Sequence, residues 1–187
     1  MRRRRPLLLL IALGAVVLAA CGRPDQVLEA ETEGIYVDLS ELQYQVQLSR
    51  QLNPASAQDQ PFLSGLPPEE RLEPGEVWFA IFLRATNPSQ QPQPTATEFT
   101  VVDSQHNEFH PILLAPHNAF TWPLREPVLV PPDESFPPVG SPAAESPAGG
   151  ALLLFKIPIQ SLQNRPFEFI IEGPETDPVE AKVNLDL

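Results

Sequence analysis

Proline most restricts what this chain can fold into, because it occupies 24 of the 187 positions and interrupts regular backbone wherever it falls. After residue 34, no segment carries the apolar spacing of a convincing amphipathic helix. The remaining segments either alternate apolar and polar residues or are continuously apolar, and both patterns are typical of strands. Eight strands are predicted, at 42–49, 76–87, 96–103, 107–114, 126–130, 151–157, 167–172 and 181–187. Short strands with proline-rich connections predict an all-β chain, an immunoglobulin-like antiparallel β-sandwich of about seven or eight strands.

Two of these segments indicate which faces are buried. The apolar face of the alternating segment 42–49 comprises Leu42, Tyr44, Val46 and Leu48. Segment 76–87 suits a central strand packed on both faces. One of its faces comprises Val77, Phe79, Ile81, Leu83 and Ala85. Trp78 and Phe82 point the other way, either into a second buried face beneath a loop or outward as a patch that docks another protein.

The connections between strands carry their own signals. Residues 104–106 suit the turn of a hairpin, and residues 159–163 suit a single helical turn. Segment 123–147 contains eight prolines and almost no periodic pattern, so we expect an extended proline-rich loop there.

The first twenty-one residues indicate where the chain is sent. Four arginines at positions 2–5 precede an apolar stretch of about fourteen residues, which matches a signal-peptide core and is too short to span a bilayer. The sequence Leu18-Ala19-Ala20-Cys21 then resembles the lipobox of bacterial lipoproteins. That resemblance implies cleavage between Ala20 and Cys21, a diacylglyceryl thioether on Cys21, and fatty acylation such as palmitate on the new amino group. An ordinary signal peptide with an incidental cysteine, or an uncleaved anchor, is the alternative.

This interpretation divides the chain into three parts. Residues 1–20 are a lipoprotein signal peptide, residues 21–34 are the acylated cysteine and an acidic tether, and residues 35–187 are the β-sandwich domain. We expect the acidic tether to be repelled by anionic lipid and to lift the domain off the headgroups. The predicted location is the extracytoplasmic face of a bacterial cell membrane, with acylated Cys21 as the lipid anchor.

The export route and the target membrane stay open. The segment that begins at Arg4 and Arg5 also resembles a twin-arginine export signal, but four consecutive arginines match such a pattern by accident. The general secretory route is therefore favoured. Gly22 does not distinguish an inner from an outer membrane.

A second resemblance covers residues 75–187. Segment 74–87, an apolar strand that ends in Asn87, is similar to the signature strand of DUF4352-like domains, which occur in many bacterial surface lipoproteins. Segments 99–103, 109–111 and 151–158 are similar to later parts of that family's pattern. The resemblance implies an immunoglobulin-like sandwich without enzymatic residues. It does not account for the strand at 42–54 or for the proline-rich loop.

Charge and cysteine count exclude several functions. Without residues 1–20 the chain carries eight basic and 24 acidic side chains, a formal charge of −16. Nucleic-acid binding depends on Lys and Arg displacing counterions, so no nucleic-acid partner is expected. Because Cys21 is the single cysteine, an internal disulfide and a multi-thiolate zinc site are both excluded.

The histidines and serines are the remaining candidates for chemistry. Three histidines lie within twelve residues and could together approach one metal ion: His106, His110 and His117. Copper carriers usually add methionine ligands, but the single methionine of this chain, Met1, is lost with the signal peptide. A hydrolase would need a positioned serine, and Ser40, Ser49 and Ser64 are available, but no nucleophile-elbow or Ser-x-x-Lys motif is present. Glycine-rich phosphate loops are also absent, and no cofactor is expected. Arg50 is either a recognition group or the partner of a carboxylate.

These observations favour a non-enzymatic lipoprotein, anchored to the membrane through acylated Cys21, that binds a protein partner in the cell envelope. The alternative is a metal-binding or metal-delivery lipoprotein that uses His106, His110 and His117. A cell-envelope hydrolase is the third and least supported hypothesis.

Overall fold

The structure, a computed structural model of the chain, describes residues 26–174 and 179–185. The predicted signal peptide, the cleavage site and Cys21 lie outside these residues. The strands of the described part are β1 (Glu29–Ala30), β2 (Tyr36–Leu39), β3 (Leu42–Leu52), β4 (Glu76–Thr86), β5 (Gln93–Pro94), β6 (Phe99–Val102), β7 (Glu108–Phe109), β8 (Leu129–Val130), β9 (Ser135–Phe136), β10 (Ala151–Pro158), β11 (Phe167–Glu172) and β12 (Glu180–Leu185). A one-turn helix α1 (Pro142–Glu145) and a 3-10 turn (Ser161–Gln163) complete the elements. Neither helical turn in this part of the chain is long and apolar enough to cross a membrane.

Two sheets form the body of the domain. One sheet has the order β10-β4-β3-β2, with β9 also paired to β4, and the other has the order β1-β12-β11-β6-β7. Neighbouring strands are antiparallel except β1, which runs parallel to β12. Strands β5 and β8 form a separate ribbon.

The connectivity is that of an immunoglobulin-type sandwich. The order β3-β4-β10 in one sheet and β7-β6-β11-β12 in the other corresponds to strands A-B-E and C′-C-F-G of that architecture. The prediction of an all-β, immunoglobulin-like antiparallel sandwich is therefore confirmed.

Strand β4 is buried on both faces, as its continuous apolar sequence predicted. Phe79, Ile81 and Leu83 point into the core between the sheets and are fully buried. They meet residues of the opposite sheet such as Phe167, whose ring centroid lies 6.0 Å from that of Phe79 in an edge-on arrangement. Burial of apolar side chains from both sheets is the main contribution to stability here, at about 25 cal/mol per Å² of apolar surface removed from water.

A second apolar cluster covers the outer face of the same strand. Trp78 and Phe82 lie beneath residues 53–75 and 112–120, and their exposed fractions are 3% and 0%. The Phe62 ring packs edge-on against the Phe82 ring at 5.0 Å between centroids. The interpretation of Trp78 and Phe82 as an exposed docking patch is therefore wrong, because the long loop after β3 folds back over them.

Strand β3 departs from simple alternation. Leu42, Tyr44 and Val46 face the core between the sheets, as predicted, but the register against β4 shifts between Val46 and Leu48. This bulge turns Leu48 to the outer cluster instead of the inner one. The period-two pattern of the sequence could not reveal the extra residue.

The domain begins earlier than residue 35. Strand β1, which falls within the predicted tether, pairs with β12, and Ala30 is 5% exposed. The Glu33 carboxylate accepts hydrogen bonds from the Ser49 backbone nitrogen at 3.1 Å and from the Ser49 hydroxyl. The boundary at residues 34 and 35 is thus corrected: the chain from β1 onward is joined to the sandwich by strand pairing and side-chain bonds.

The segment 123–147 is more regular than predicted. It contains β8, β9 and helix α1. The Ser141 hydroxyl caps the helix by accepting a hydrogen bond from the Ala144 backbone nitrogen at 3.3 Å, and Pro142 occupies the first turn. These elements are too short to produce a periodic pattern, which is why the sequence indicated a loop.

The strands predicted at 107–114 and 126–130 are much shorter than expected, being reduced to β7 and β8. The hairpin between β6 and β7 and the turn near residues 159–163 are confirmed.

Candidate functional site

The three histidines of the metal hypothesis lie in separate surroundings. His106 occupies the turn of the β6–β7 hairpin with a φ of 63°, the Nδ1 atom of His110 lies 3.3 Å from the Thr100 hydroxyl, and His117 lies beside Gly65. Within residues 26–174 and 179–185, no group of three His, Cys, Asp or Glu side chains is placed to hold a metal ion. The three histidines are therefore close in sequence, but their imidazoles do not converge in the structure.

Arg50 pairs with a carboxylate. Its Nη2 atom lies 2.7 Å from Oδ1 of Asp59, whose other oxygen accepts a hydrogen bond from the Asn53 backbone nitrogen at 2.8 Å. The bond from Arg50 is the main reason why the pKa of Asp59 lies below its ordinary value. This arrangement pins the start of the loop that covers Trp78, so Arg50 has a structural role.

A cleft of about 920 Å³ opens at the end of the sandwich where β2 turns into β3 and β11 connects to β12. We call it the acidic cleft. Its wall includes Ser40, Glu41, Tyr44, Glu98, Glu172 and Glu180. All four glutamates are exposed, and no Lys or Arg is among the described residues that line it. The cleft therefore presents a negative rim to solvent.

Tyr44 forms the polar floor of the acidic cleft. Its hydroxyl accepts a hydrogen bond from the Ala96 backbone nitrogen at 2.8 Å, and Trp122 Nε1 donates to the Ala96 carbonyl oxygen at 2.9 Å. Burial raises the pKa of Tyr44 well above its ordinary value, a shift that the Ala96 bond opposes only in part. The phenol consequently stays neutral and serves as a structural hydrogen-bonding group.

A second cavity of about 770 Å³ lies where residues 65–68, 113–117 and 121–126 meet. We call it the apolar groove. Its wall includes Leu66, Leu113, Leu114, Trp122, Leu124 and Phe136, with His117 and Arg125 also lining it. The exposed fraction of Leu113 is 37%, so apolar surface is accessible from solvent. Concave apolar surface with a few polar groups is typical of binding sites.

Hydrogen bonds from the Asn118 side chain hold the two sides of the apolar groove together. The Asn118 side-chain nitrogen donates to the carbonyl oxygens of Phe62 and Ser64, at 3.0 and 2.8 Å. Gly65 has a φ of +76°, and a Cβ atom there would lie 3.0 Å from the Cβ of Ala115. A glycine is required at this position because of both the left-handed backbone and the close approach. The groove is therefore built by ordered loops.

Apart from His117, which the metal hypothesis named, sequence reasoning found none of the groove residues as a site. Its lining comes from residues 65–68, from the stretch 113–126 and from Phe136, which are separated along the chain, and none of these segments carries a motif. The one sequence feature that could have pointed to the groove is Trp122, which lies beside Pro123 in a segment without periodic pattern. A large aromatic residue in such a segment usually packs against other apolar residues.

The predicted lipidation and cleavage residues, Cys21 and Ala20, lie outside the described residues. Of the serines weighed for a hydrolase, Ser49 is buried and bonded to Glu33. Ser64 is exposed on the loop before Gly65.

No protein-family model and no curated protein matches this sequence. Solved structures do match it. The yjhA protein from Bacillus subtilis is 8% identical, with a TM-score of 0.53 over 83% of this chain and 99% of that one. A functionally unknown protein from Listeria monocytogenes EGD-e is 11% identical, with a TM-score of 0.50 over 82% of each chain. A "putative lipoprotein (ycdA)" from Bacillus subtilis is 10% identical, with a TM-score of 0.49 over 84% of this chain and 39% of that one.

At these identities the likeness is one of fold. The yjhA and Listeria proteins share the sandwich fold seen here, and the resemblance to DUF4352-like domains stays a prediction.

Proposed function

We propose that this protein is a lipid-anchored lipoprotein of the extracytoplasmic membrane face that binds a protein partner and catalyses no reaction. The observation that carries the proposal is the sequence Leu18-Ala19-Ala20-Cys21 after an arginine cluster and an apolar core. It places the only cysteine of the chain at the position where lipoproteins are acylated.

The anchor explains why binding alone is a useful activity. Several acyl chains on one residue hold a protein in the bilayer far more firmly than one chain, at about 0.8 kcal/mol per buried CH₂. Confinement near the membrane raises the effective concentration of the domain toward membrane neighbours, so a modest intrinsic affinity suffices.

The apolar groove is the surface that supports partner binding best. It is concave, its lining is mostly apolar, and hydrogen bonds from Asn118 fix its walls before any partner arrives. A preformed wall lowers the entropic cost of association. The partner that fits is an envelope protein that presents an apolar segment.

Lipidation is tested by expressing the full chain in a bacterium and measuring the mass of the mature protein. We expect cleavage before Cys21, a mass increase equal to the diacylglyceryl and acyl groups, and partition into detergent. The Cys21→Ser variant should remain unprocessed and gain no lipid mass. An unmodified Cys21 thiol in the native protein, or retention of residues 2–20, would overturn the proposal.

Partner binding is tested with a photo-crosslinking amino acid at Leu113 in the groove, in living cells, with the exposed Gln163 as the matched control position. We expect a discrete adduct at Leu113 that is absent at Gln163. The crosslinked protein is then identified and purified, and Leu113→Glu should weaken its binding at least tenfold while Gln163→Glu leaves it unchanged. Equal crosslinking at both positions, or equal affinity of both variants, would contradict a role for the groove.

A further inference from the structure

We propose that the anchored domain stands with the end that carries the acidic cleft toward the lipid surface and the β6–β7 hairpin away from it. This inference rests on the proposed acylation of Cys21 and adds an orientation to it. It follows from where the described chain begins and from the number of residues that separate that point from the anchor.

The start of the described chain is fixed to the cleft end of the sandwich. The Val27 backbone nitrogen donates to the Asp38 carboxylate at 2.9 Å, and the Asp38 backbone nitrogen donates back to the Val27 carbonyl oxygen at 2.6 Å. The Leu28 carbonyl oxygen accepts a bond from the Lys182 backbone nitrogen at 2.8 Å. Two strands of opposite sheets therefore hold this segment.

The same neighbours form the cleft. Gln26 Nε2 lies 3.4 Å from the carbonyl oxygen of Ser40, and Ser40 lines the acidic cleft. Glu180, two residues before the strand partner of Glu29, lines it too. The polypeptide thus leaves the domain beside the cleft.

The anchor cannot be far from this point. Five peptide units separate Cys21 from Gln26, and a fully extended chain of that length reaches at most about 18 Å. The domain is longer than this reach, since β4 alone, with its eleven residues, spans about 34 Å. A domain held at one end by 18 Å of chain cannot invert so that its far end meets the lipid.

The hairpin marks that far end. On β11, Ile171 pairs with Phe99 near the cleft, whereas Glu168 pairs with Val102, which leads into the hairpin. A label on the hairpin should therefore lie farther from the bilayer than a label at the cleft.

The lipid surface is accordingly the partner that this end of the domain faces. The four exposed glutamates of the rim repel anionic headgroups, so we expect this end of the domain to face a zwitterionic bilayer. The same repulsion should keep the domain as far from the lipid as the tether allows. The free tether is thus shorter than the acidic tether expected at 21–34, because strand β1 uses part of that segment.

The orientation is tested with the lipidated full-length protein in phosphatidylcholine vesicles. Acylation occupies the Cys21 sulfur, so Glu98→Cys at the cleft and Gln105→Cys at the hairpin each provide one free thiol for a fluorophore. Quenching by lipids that carry a spin label on the headgroup should be at least twofold stronger at position 98. Equal quenching, or stronger quenching at position 105, would overturn the orientation.

Two further measurements show whether the tether sets the orientation and whether Cys21 is acylated in the same samples. Ten Gly/Ser residues inserted after Gly22 add up to about 33 Å of reach, and the ratio of quenching should fall toward one. An unchanged ratio would show that the tether does not set the orientation and would overturn the inference. Mass spectrometry of the same samples distinguishes the two proposals: a lipidated protein with equal quenching contradicts the orientation alone, whereas an unmodified Cys21 contradicts both.

Discussion

The hydroxyl of Tyr44 lies 2.8 Å from the backbone nitrogen of Ala96 and accepts its hydrogen bond across 52 residues of sequence. Trp122 donates to the carbonyl oxygen of the same alanine, so two large side chains satisfy both backbone groups of a buried residue. The pair joins the loop that enters β6 to the sheet that contains β3.

Tyr44→Phe should destabilise the domain by about 1–3 kcal/mol, because it leaves the buried Ala96 nitrogen without an acceptor while the ring still fills its space. Urea unfolding followed by circular dichroism measures the loss. Tyr36→Phe is the matched control, since Tyr36 is 45% exposed, and it should change stability by less than about 0.5 kcal/mol. Equal stability of both variants would show that the bond contributes nothing.

Alkaline pH provides a separate test of the same residue. Because the pKa of Tyr44 is raised in the folded state, the folded protein holds a proton that the unfolded chain loses above about pH 10. Stability should therefore fall as the pH rises beyond 10. In a Tyr36→Phe background Tyr44 is the only tyrosine, and its tyrosinate absorbance should appear together with loss of the circular dichroism signal. Ionisation that clearly precedes unfolding would contradict the burial of the phenol.

Asp103 should make the domain sensitive to acid. Burial raises the pKa of its carboxyl, but hydrogen bonds from Asn107, Asn164 and Gln105 outweigh burial and lower the pKa to about 2. The folded pKa is thus below the unfolded one, so this contribution is complete above about pH 4 and is lost as the pH falls toward 2. The shift corresponds to at most about 2–3 kcal/mol.

Asp103→Asn should therefore cost about 1–2 kcal/mol at pH 7, and the difference from the original chain should shrink between pH 4 and pH 2. Urea unfolding at a series of pH values measures it. Asp133→Asn is the control, because Asp133 is an exposed turn residue and the substitution makes the same chemical change there. A stability difference that is the same at pH 7 and pH 2 would rule out the carboxylate as its origin.

Asp59 should hold in place the loop at 53–75, which covers the outer apolar cluster around Trp78. Replacement by Ala leaves the Asn53 nitrogen without its acceptor and Arg50 without its partner, with an expected cost of about 1–3 kcal/mol. Loosening of the loop should shift tryptophan fluorescence to longer wavelength and speed proteolysis within 53–75, since Trp78 lies underneath. The Glu70–Lys156 pair is more exposed, so Glu70→Gln should cost no more than about 1 kcal/mol and leave the fluorescence unchanged. Fluorescence that does not move in Asp59→Ala would contradict the proposed role of the pair.

The sequence predicted what depends on local pattern. The two-sided burial of β4 and the one-sided burial of β12 follow from continuous and alternating apolar residues, and both are present in the structure. The bulge at Leu48, the pairing of β1 with β12 and the identity of the loop residues that cover Trp78 depend on contacts between distant segments. No local pattern encodes those contacts, so they emerged only from the structure.

The same distinction applies to the candidate sites. The proposed lipidation of Cys21 rests on a contiguous motif of four residues, which sequence reasoning can recognise. The apolar groove depends on three loops that meet in space, and Asn118, which joins two of them, sits in a sequence with no recognisable signal. Closeness in sequence was also misleading, since His106 lies on the hairpin and His117 lines the groove.

That separation of the histidines leads to the last prediction. A single metal site shared by His106, His110 and His117 would stabilise the folded state by about 2.7 kcal/mol when the free metal is one hundred times its dissociation constant. Because these side chains do not form a group in the structure, stoichiometric Zn²⁺ or Cu²⁺ should leave the thermal midpoint unchanged. The triple variant His106→Gln/His110→Gln/His117→Gln should behave as the original chain does. A rise of several degrees with either ion that disappears in the triple variant would restore the metal-delivery hypothesis.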